Sequence, residues 1–142
     1  MKTAILFGII LIAFACSSNH ETSRKMAIQK MVMDSKDAWN KGDIPGFMGS
    51  YEHTNNTKFI TKKGTTYGWD STLARYLRSY PNREKMGRLE FTLDSTELLG
   101  SEYGHITGRW KLLRASDTPQ GYFSLITRET KEGPKICIDH TW

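Results

Sequence analysis

Between Ala27 and Trp39 apolar residues recur at three- and four-residue steps, and after Met86 the step shortens to two, which divides the chain into a helical half and a stranded half. Ala27, Ile28, Met31, Val32, Ala38 and Trp39 share one face of a first helix, with Thr22 or Ser23 as N-caps and Gly42 just past its end. Asp43 is placed to cap a second, short helix in which Ile44, Phe47, Met48 and Tyr51 lie together and Pro45 occupies the tolerant first turn. Asn55-Asn56 ends it. A short strand over Lys58 to Thr61 follows, with a turn at Lys62-Lys63-Gly64. A third helix opens at Asp70 or Ser71, repeats Leu73, Tyr76, Leu77 and Tyr80 on one side, and stops at Pro81.

Leu89, Phe91 and Leu93 then alternate with Arg88, Glu90 and Thr92, the mark of a half-buried strand. Further strands are expected over Tyr103 to Arg114, Gly121 to Lys131 and Lys135 to Trp142, separated by the turn residues 117–121 and 132–134. Short loops between successive strands predict an antiparallel meander. Helices first and strands afterwards define an α+β domain, three N-terminal helices laid on one face of a strongly bent antiparallel sheet.

Ahead of this domain, Lys2 precedes the apolar run Ala4 to Ala15, which has the charge and length of an export signal and is too short to span a bilayer. Ala13-Phe14-Ala15 fits the small-x-small site of an ordinary signal peptidase, but the next residue is Cys16, and together they resemble a bacterial lipoprotein signal, although that signal usually has an aliphatic residue where Ala13 stands and a small one where Phe14 stands; plain cleavage is the alternative to acylation. Residues 1–15 therefore read as a signal peptide, 16–24 as a polar tether and 25–142 as one domain. Acylation of Cys16 would anchor the domain to a membrane of the bacterial cell envelope and leave Cys137 as the one free thiol. The net charge of +5 includes Lys2 and is dispersed, so no nucleic-acid partner is expected. The histidines, at 20, 53, 105 and 140, are scattered, and neither a metal site nor a cofactor is expected.

The residues Ala38-Trp39-Asn40-Lys41-Gly42-Asp43, then Phe47-Met48 and Tyr51, and finally Asp139-His140-Thr141, resemble the nuclear-transport-factor-2-like superfamily. Within it, Thr66-Tyr67-Gly68-Trp69, Tyr80-Pro81, Met86-Gly87, Leu89, Phe91, Gly108, Trp110 and Gly121-Tyr122-Phe123 are similar to the small SnoaL-like proteins and lipoproteins of bacteria. The resemblance implies a cone-shaped fold with a pocket inside and a homodimer formed through the outer face of the sheet. It does not imply one reaction, because the cone hosts isomerases, cyclases, dehydratases, hydrolases and purely binding or assembly domains. In the steroid isomerase branch a tyrosine and a general-base aspartate do the chemistry. Here the matching positions hold Ser35 and, approximately, Thr61, and a threonine cannot take a proton from carbon at neutral pH.

Strand parity sorts the remaining candidates. With apolar residues inside, Ile136, Ile138, His140 and Trp142 join Phe123, Leu125, Ile106, Trp110, Leu89 and Phe91 on the concave face, while Cys137, Asp139, His105, Arg109 and Arg128 point outward. A bulge in a long strand would invert part of that order. On this parity His140 is the candidate catalytic residue, weighed against a hydrogen-bonded core histidine, and Asp139 is a structural acceptor facing Arg109 or Arg128 across a dimer surface. The expected ligand-binding set is Trp39, Phe47, Tyr51, Tyr67, Trp69, Trp110 and His140, with Tyr67 and Trp69 at the mouth, although helix-to-sheet packing explains many of the rings. The basic stretch Arg75, Arg78, Arg83, Lys85 and Arg88 reads as a solvated helix face, or as an attractor for an anionic ligand or lipid headgroup. The leading expectation is an exported, lipid-anchored domain that binds a small, mainly apolar molecule and pairs with a second copy. The alternatives are a cofactor-independent isomerase, cyclase or hydrolase using His140 with a tyrosine such as Tyr51, and a non-catalytic assembly module.

Overall fold

The helical period of the first half is realised as α1 (Leu6–Lys41), a single helix in a computed structural model that describes residues 6–142, with side chains from residue 19 onward. The expected signal residues 1–5 and the side chain of Cys16 lie outside the described residues. Thr22 and Ser23 do not begin the helix. The polar residues expected as a tether contain no proline and lie within α1. The buried stripe of α1 is Ile28, Val32, Ser35 and Trp39, at helical steps of four, three and four.

What ends α1 also explains the Asn-Lys-Gly-Asp motif. Gly42 takes a left-handed φ of 86° and its amide donates to the Trp39 carbonyl at 2.8 Å; the guanidinium of Arg83 donates to that carbonyl at 2.9 Å and to the Asn40 carbonyl at 2.8 Å, at the end where helical acceptors run out of donors. Asp43 caps α2 (Ile44–Met48) by accepting from the Gly46 amide at 2.8 Å. Asn40 behaves as a surrogate strand neighbour: its Nδ2 donates to the Leu89 carbonyl at 2.9 Å and its Oδ1 accepts from the Leu89 amide at 2.8 Å. The motif is a staple between the end of α1 and the start of the sheet.

A hairpin follows, β1 (Lys58–Thr61) and β2 (Gly64–Tyr67), then α3 (Trp69–Ser79) and the single turn α4 (Arg83–Met86), capped by the Asn82 side chain. The sequence pattern left β2 as loop and α4 unassigned. The meander is β3 (Arg88–Leu99), β4 (Tyr103–Leu113), β5 (Gln120–Thr130) and β6 (Gly133–Thr141), and the sheet order is β2-β1-β6-β5-β4-β3. All pairs are antiparallel except β1 with β6, which run parallel, a crossover that the helices between them permit.

Two register shifts bend the long strands, between Leu93 and Ser95 in β3 and opposite Ile126 and Thr127 in β6, where Ile126 faces Ile138 but Thr127 faces Ile136. Cys137 is the extra residue of the second bulge. Curling also needs room between strands: the Phe123 ring lies over Gly108, where an added Cβ would meet Phe123 Cζ at 2.4 Å. The core fills the inside of the curl, with Ile28, Val32, Met48 and Ile106 almost completely buried.

Candidate functional site

Three helices and the concave face of the sheet do not close completely on one another. They leave a cavity of about 500 Å³ reached between the β1–β2 turn and the open end of the sheet. Rings in edge-on contact form one side of it: Trp39 with Phe47 at 5.2 Å between centroids, Trp39 with Tyr80 at 4.8 Å, and Phe47 with Tyr76 at 5.2 Å. Ser35 and Thr61 also line it, so the positions matched to the steroid isomerase groups do face the cavity, with hydroxyls in place of a phenol and a carboxylate.

One carboxyl group is buried in this wall. Asp139 is 3% exposed; Tyr51 Oη donates to its Oδ2 at 2.5 Å and Thr141 Oγ1 donates to its Oδ1 at 2.6 Å. The backbone builds the pair. After α2 the chain runs beside β6, with Glu52 N donating to Ile136 O at 2.8 Å and Ile136 N to Ser50 O at 2.9 Å, which brings Tyr51 against the strand carrying Asp139. Burial without a paired cation raises the Asp139 pKa to about 6, more than the bonds from Thr141 and Tyr51 and the neighbouring His140 can offset. Burial, then the charge of Asp139, pushes the Tyr51 phenol well above its usual range, and Tyr76 beside it shifts the same way for the same reasons. Near neutral pH the cluster therefore comprises a carboxyl poised to gain or lose a proton and two phenols that stay protonated.

The bulge at Cys137 corrects the expected parity of the last strand. Beyond it Asp139 pairs with inward-facing Leu125 and turns into the cavity, while His140 pairs with Ser124, is exposed, and lies on the outer face with its ring 4.8 Å from that of Trp142. His140 is thus displaced from the position expected of a catalytic group. Asp139 does not face Arg109 or Arg128; Arg109 pairs with Asp94 at 3.1 Å and Arg128 with Glu52. Trp39, Phe47, Tyr51 and Trp110 line the cavity as expected of ligand-binding residues. Tyr67 and Trp69 do not: Tyr67 is 62% exposed on β2, and Trp69 stacks on His53 at 4.0 Å while its Nε1 donates to the Met48 carbonyl at 2.8 Å. Among the described residues, the buried Nε1 of Trp110 has no hydrogen-bond partner; it is packed against the backbone at Gly121, closed off from the cavity. The sequence signal that pointed to Asp139 was its place on an apolar strand; the signal that misdirected it was unbroken alternation.

A curled six-stranded sheet wrapped on α1 to α3, with a cavity inside, defines the nuclear-transport-factor-2-like class. The chain belongs to this family: it is 33% identical to an NTF2-like protein of unknown function from Shewanella oneidensis MR-1, with a TM-score of 0.78 over 81% of this chain and 95% of that one. An NTF2-like superfamily protein from Salmonella enterica shares the fold at 16% identity, TM-score 0.68, over 85% of this chain and 91% of that one. A ketosteroid isomerase-like protein from Erwinia carotovora atroseptica does so at 12% identity, TM-score 0.63, over 83% and 94% respectively. No family model matches the sequence, and no curated protein matches it.

Proposed function

We propose that the protein binds a small, mainly apolar molecule inside the cone, with Asp139 and Tyr51 as its polar anchor. The observation that carries this reading is a ring-lined cavity of about 500 Å³ whose wall holds a buried carboxyl, its pKa raised to about 6 by burial, hydrogen-bonded to a phenol. Rings supply area, and the few polar groups fix orientation. The export signal and acylation at Cys16 complete the proposal, holding the domain at a membrane of the cell envelope. A second copy would pair with the outer sheet face, where half-buried Ile60, Ile126 and Ile138 lie across three neighbouring strands.

A second reading is supported by the Asp139 pKa of about 6: cofactor-independent proton transfer on a bound substrate, with Asp139 in the role expected of His140 and Tyr51 polarising the substrate. A thermal-shift screen of ring-containing small molecules at pH 5 and pH 8 tests both, since a ligand stabilises the state it binds. Hits whose shift survives His140→Ala but falls with Tyr51→Phe support the cavity site. Turnover of such a hit, lost in Asp139→Asn, adds the catalytic reading; a screen without hits, alongside a stable higher oligomer, favours the assembly module instead.

A further inference from the structure

The charges around the cavity are arranged by depth. Its one acid, Asp139, is buried, whereas Lys62, Lys63, Arg75 and Arg114 line the same cavity, and the two lysines stand exposed on the β1–β2 turn. Arg114 is already neutralised by Asp117, through contacts of 2.6 and 3.0 Å. The other three have no carboxylate partner among the described residues. The Arg75 guanidinium lies 4.9 Å over the Phe59 ring and donates only to hydroxyls, Thr66 Oγ1 at 2.9 Å and Thr61 Oγ1 at 3.2 Å. A shallow cleft adjoining the mouth shares Lys63, Arg75 and Ser79, adds Arg78, Ser71 and Thr66, and contains no acidic side chain.

From this arrangement we infer that the cavity takes an amphipathic organic anion, its apolar body among the rings and its anionic group on Lys62, Lys63 and Arg75. The inference rests on the cavity being a ligand site. Orientation follows from Coulomb's law: an anionic end pushed inward meets the buried Asp139 carboxylate, while the same end at the mouth meets three unpaired cations. The inner end of the ligand is therefore uncharged, and suited to the Tyr51 phenol. Arg75 is held in place by its hydroxyl contacts and by Phe59, so it presents a charge fixed before binding, whereas the exposed lysines are free to adjust to the anion.

A matched pair of fluorescent probes separates charge from shape: 1-anilinonaphthalene-8-sulfonate and its uncharged parent, 1-anilinonaphthalene. The expected result is that both bind the folded protein and compete for one site, with the sulfonate tighter by roughly tenfold at low ionic strength. High salt should narrow that ratio, and Lys62→Ala with Lys63→Ala should abolish most of it while leaving the uncharged probe unaffected. These two positions are exposed, so the variant retains the fold. Arg75→Met should act in the same direction. Equal binding of the two probes, indifferent to salt and to the lysine pair, overturns the anion inference and leaves the cavity reading intact. A sulfonate that binds but is not displaced by its parent is a surface ion and also overturns it; binding of neither probe removes the cavity reading itself.

Discussion

Replacing Asp139 with asparagine keeps the shape of the buried cluster and removes its charge, which makes the variant a direct measure of what that charge does. An ordinary aspartate ionises near 3.8, and in the fold Asp139 does so at about 6. The shift is upward, so the stability tied to this group is fully present below the unfolded pKa and is lost as pH rises through the folded one. Below about pH 4 the carboxyl is protonated in both states; between about 4 and 6 the unfolded chain ionises first, and the folded state falls behind by about 1.4 kcal/mol per pH unit. By pH 7.5 the accumulated loss is about 3 kcal/mol. Asparagine accepts the Tyr51 hydrogen bond through Oδ1 and donates from Nδ2 to Thr141 Oγ1, with the threonine hydroxyl turned round, so the packing is retained. Urea unfolding of both proteins from pH 3.5 to 7.5 reads the difference directly. The gap in unfolding free energy, variant minus wild type, should widen by about 3 kcal/mol across that range, or about 10 °C in Tm. A gap that stays flat, or that closes as pH rises, refutes the placement of Asp139 as a buried carboxyl without a cation.

Other substitutions test separate parts of the account. Tyr51→Phe removes a donor to the carboxylate, so the Asp139 pKa should rise above about 6 and stability should fall by about 1–3 kcal/mol, read by carboxyl-carbon NMR titration and by melting. Asn40→Ala leaves both Leu89 backbone groups unpaired and should cost about 2–4 kcal/mol in denaturant unfolding, far more than an exposed helix residue. His140→Ala, on the outer face, should change unfolding free energy by no more than about 0.5 kcal/mol and leave ligand-induced thermal shifts unaltered. A loss of ligand response in that variant would restore His140 to the site.

The parts of this fold that were legible in the sequence are those set by local periodicity and by side-chain capping. Ile28, Val32 and Trp39 declared the buried stripe of α1, and Asp43, Pro45 and Gly42 declared its junction with α2, because each acts over a few residues. The β1–β6 parallel pairing was not legible, since it joins segments about 80 residues apart through no local signal. The site was misread at Tyr67 and Trp69, which lie off the cavity, and along the last strand. Cys137 looks like any strand residue, yet as a bulge it inverts residues 138–141, so that Ile138 and His140 leave the core and Asp139 and Thr141 enter it, while Trp142 still lines the cavity. The Thr141 hydroxyl two residues on and the Tyr51 hydroxyl, arriving from the segment after α2, together explain why an acid is tolerated there. Nothing in the alternation of the final strand announced Tyr51.

The central claim is that a ligand enters the cone and is held by the Asp139–Tyr51 pair. A crystal structure of the protein with a compound selected by thermal shift tests it most directly. The account predicts density within the ring-lined cavity, with a ligand polar atom in hydrogen-bonding reach of the Asp139 carboxyl or the Tyr51 phenol. Density on the outer face around His140, with the cavity empty, would contradict it.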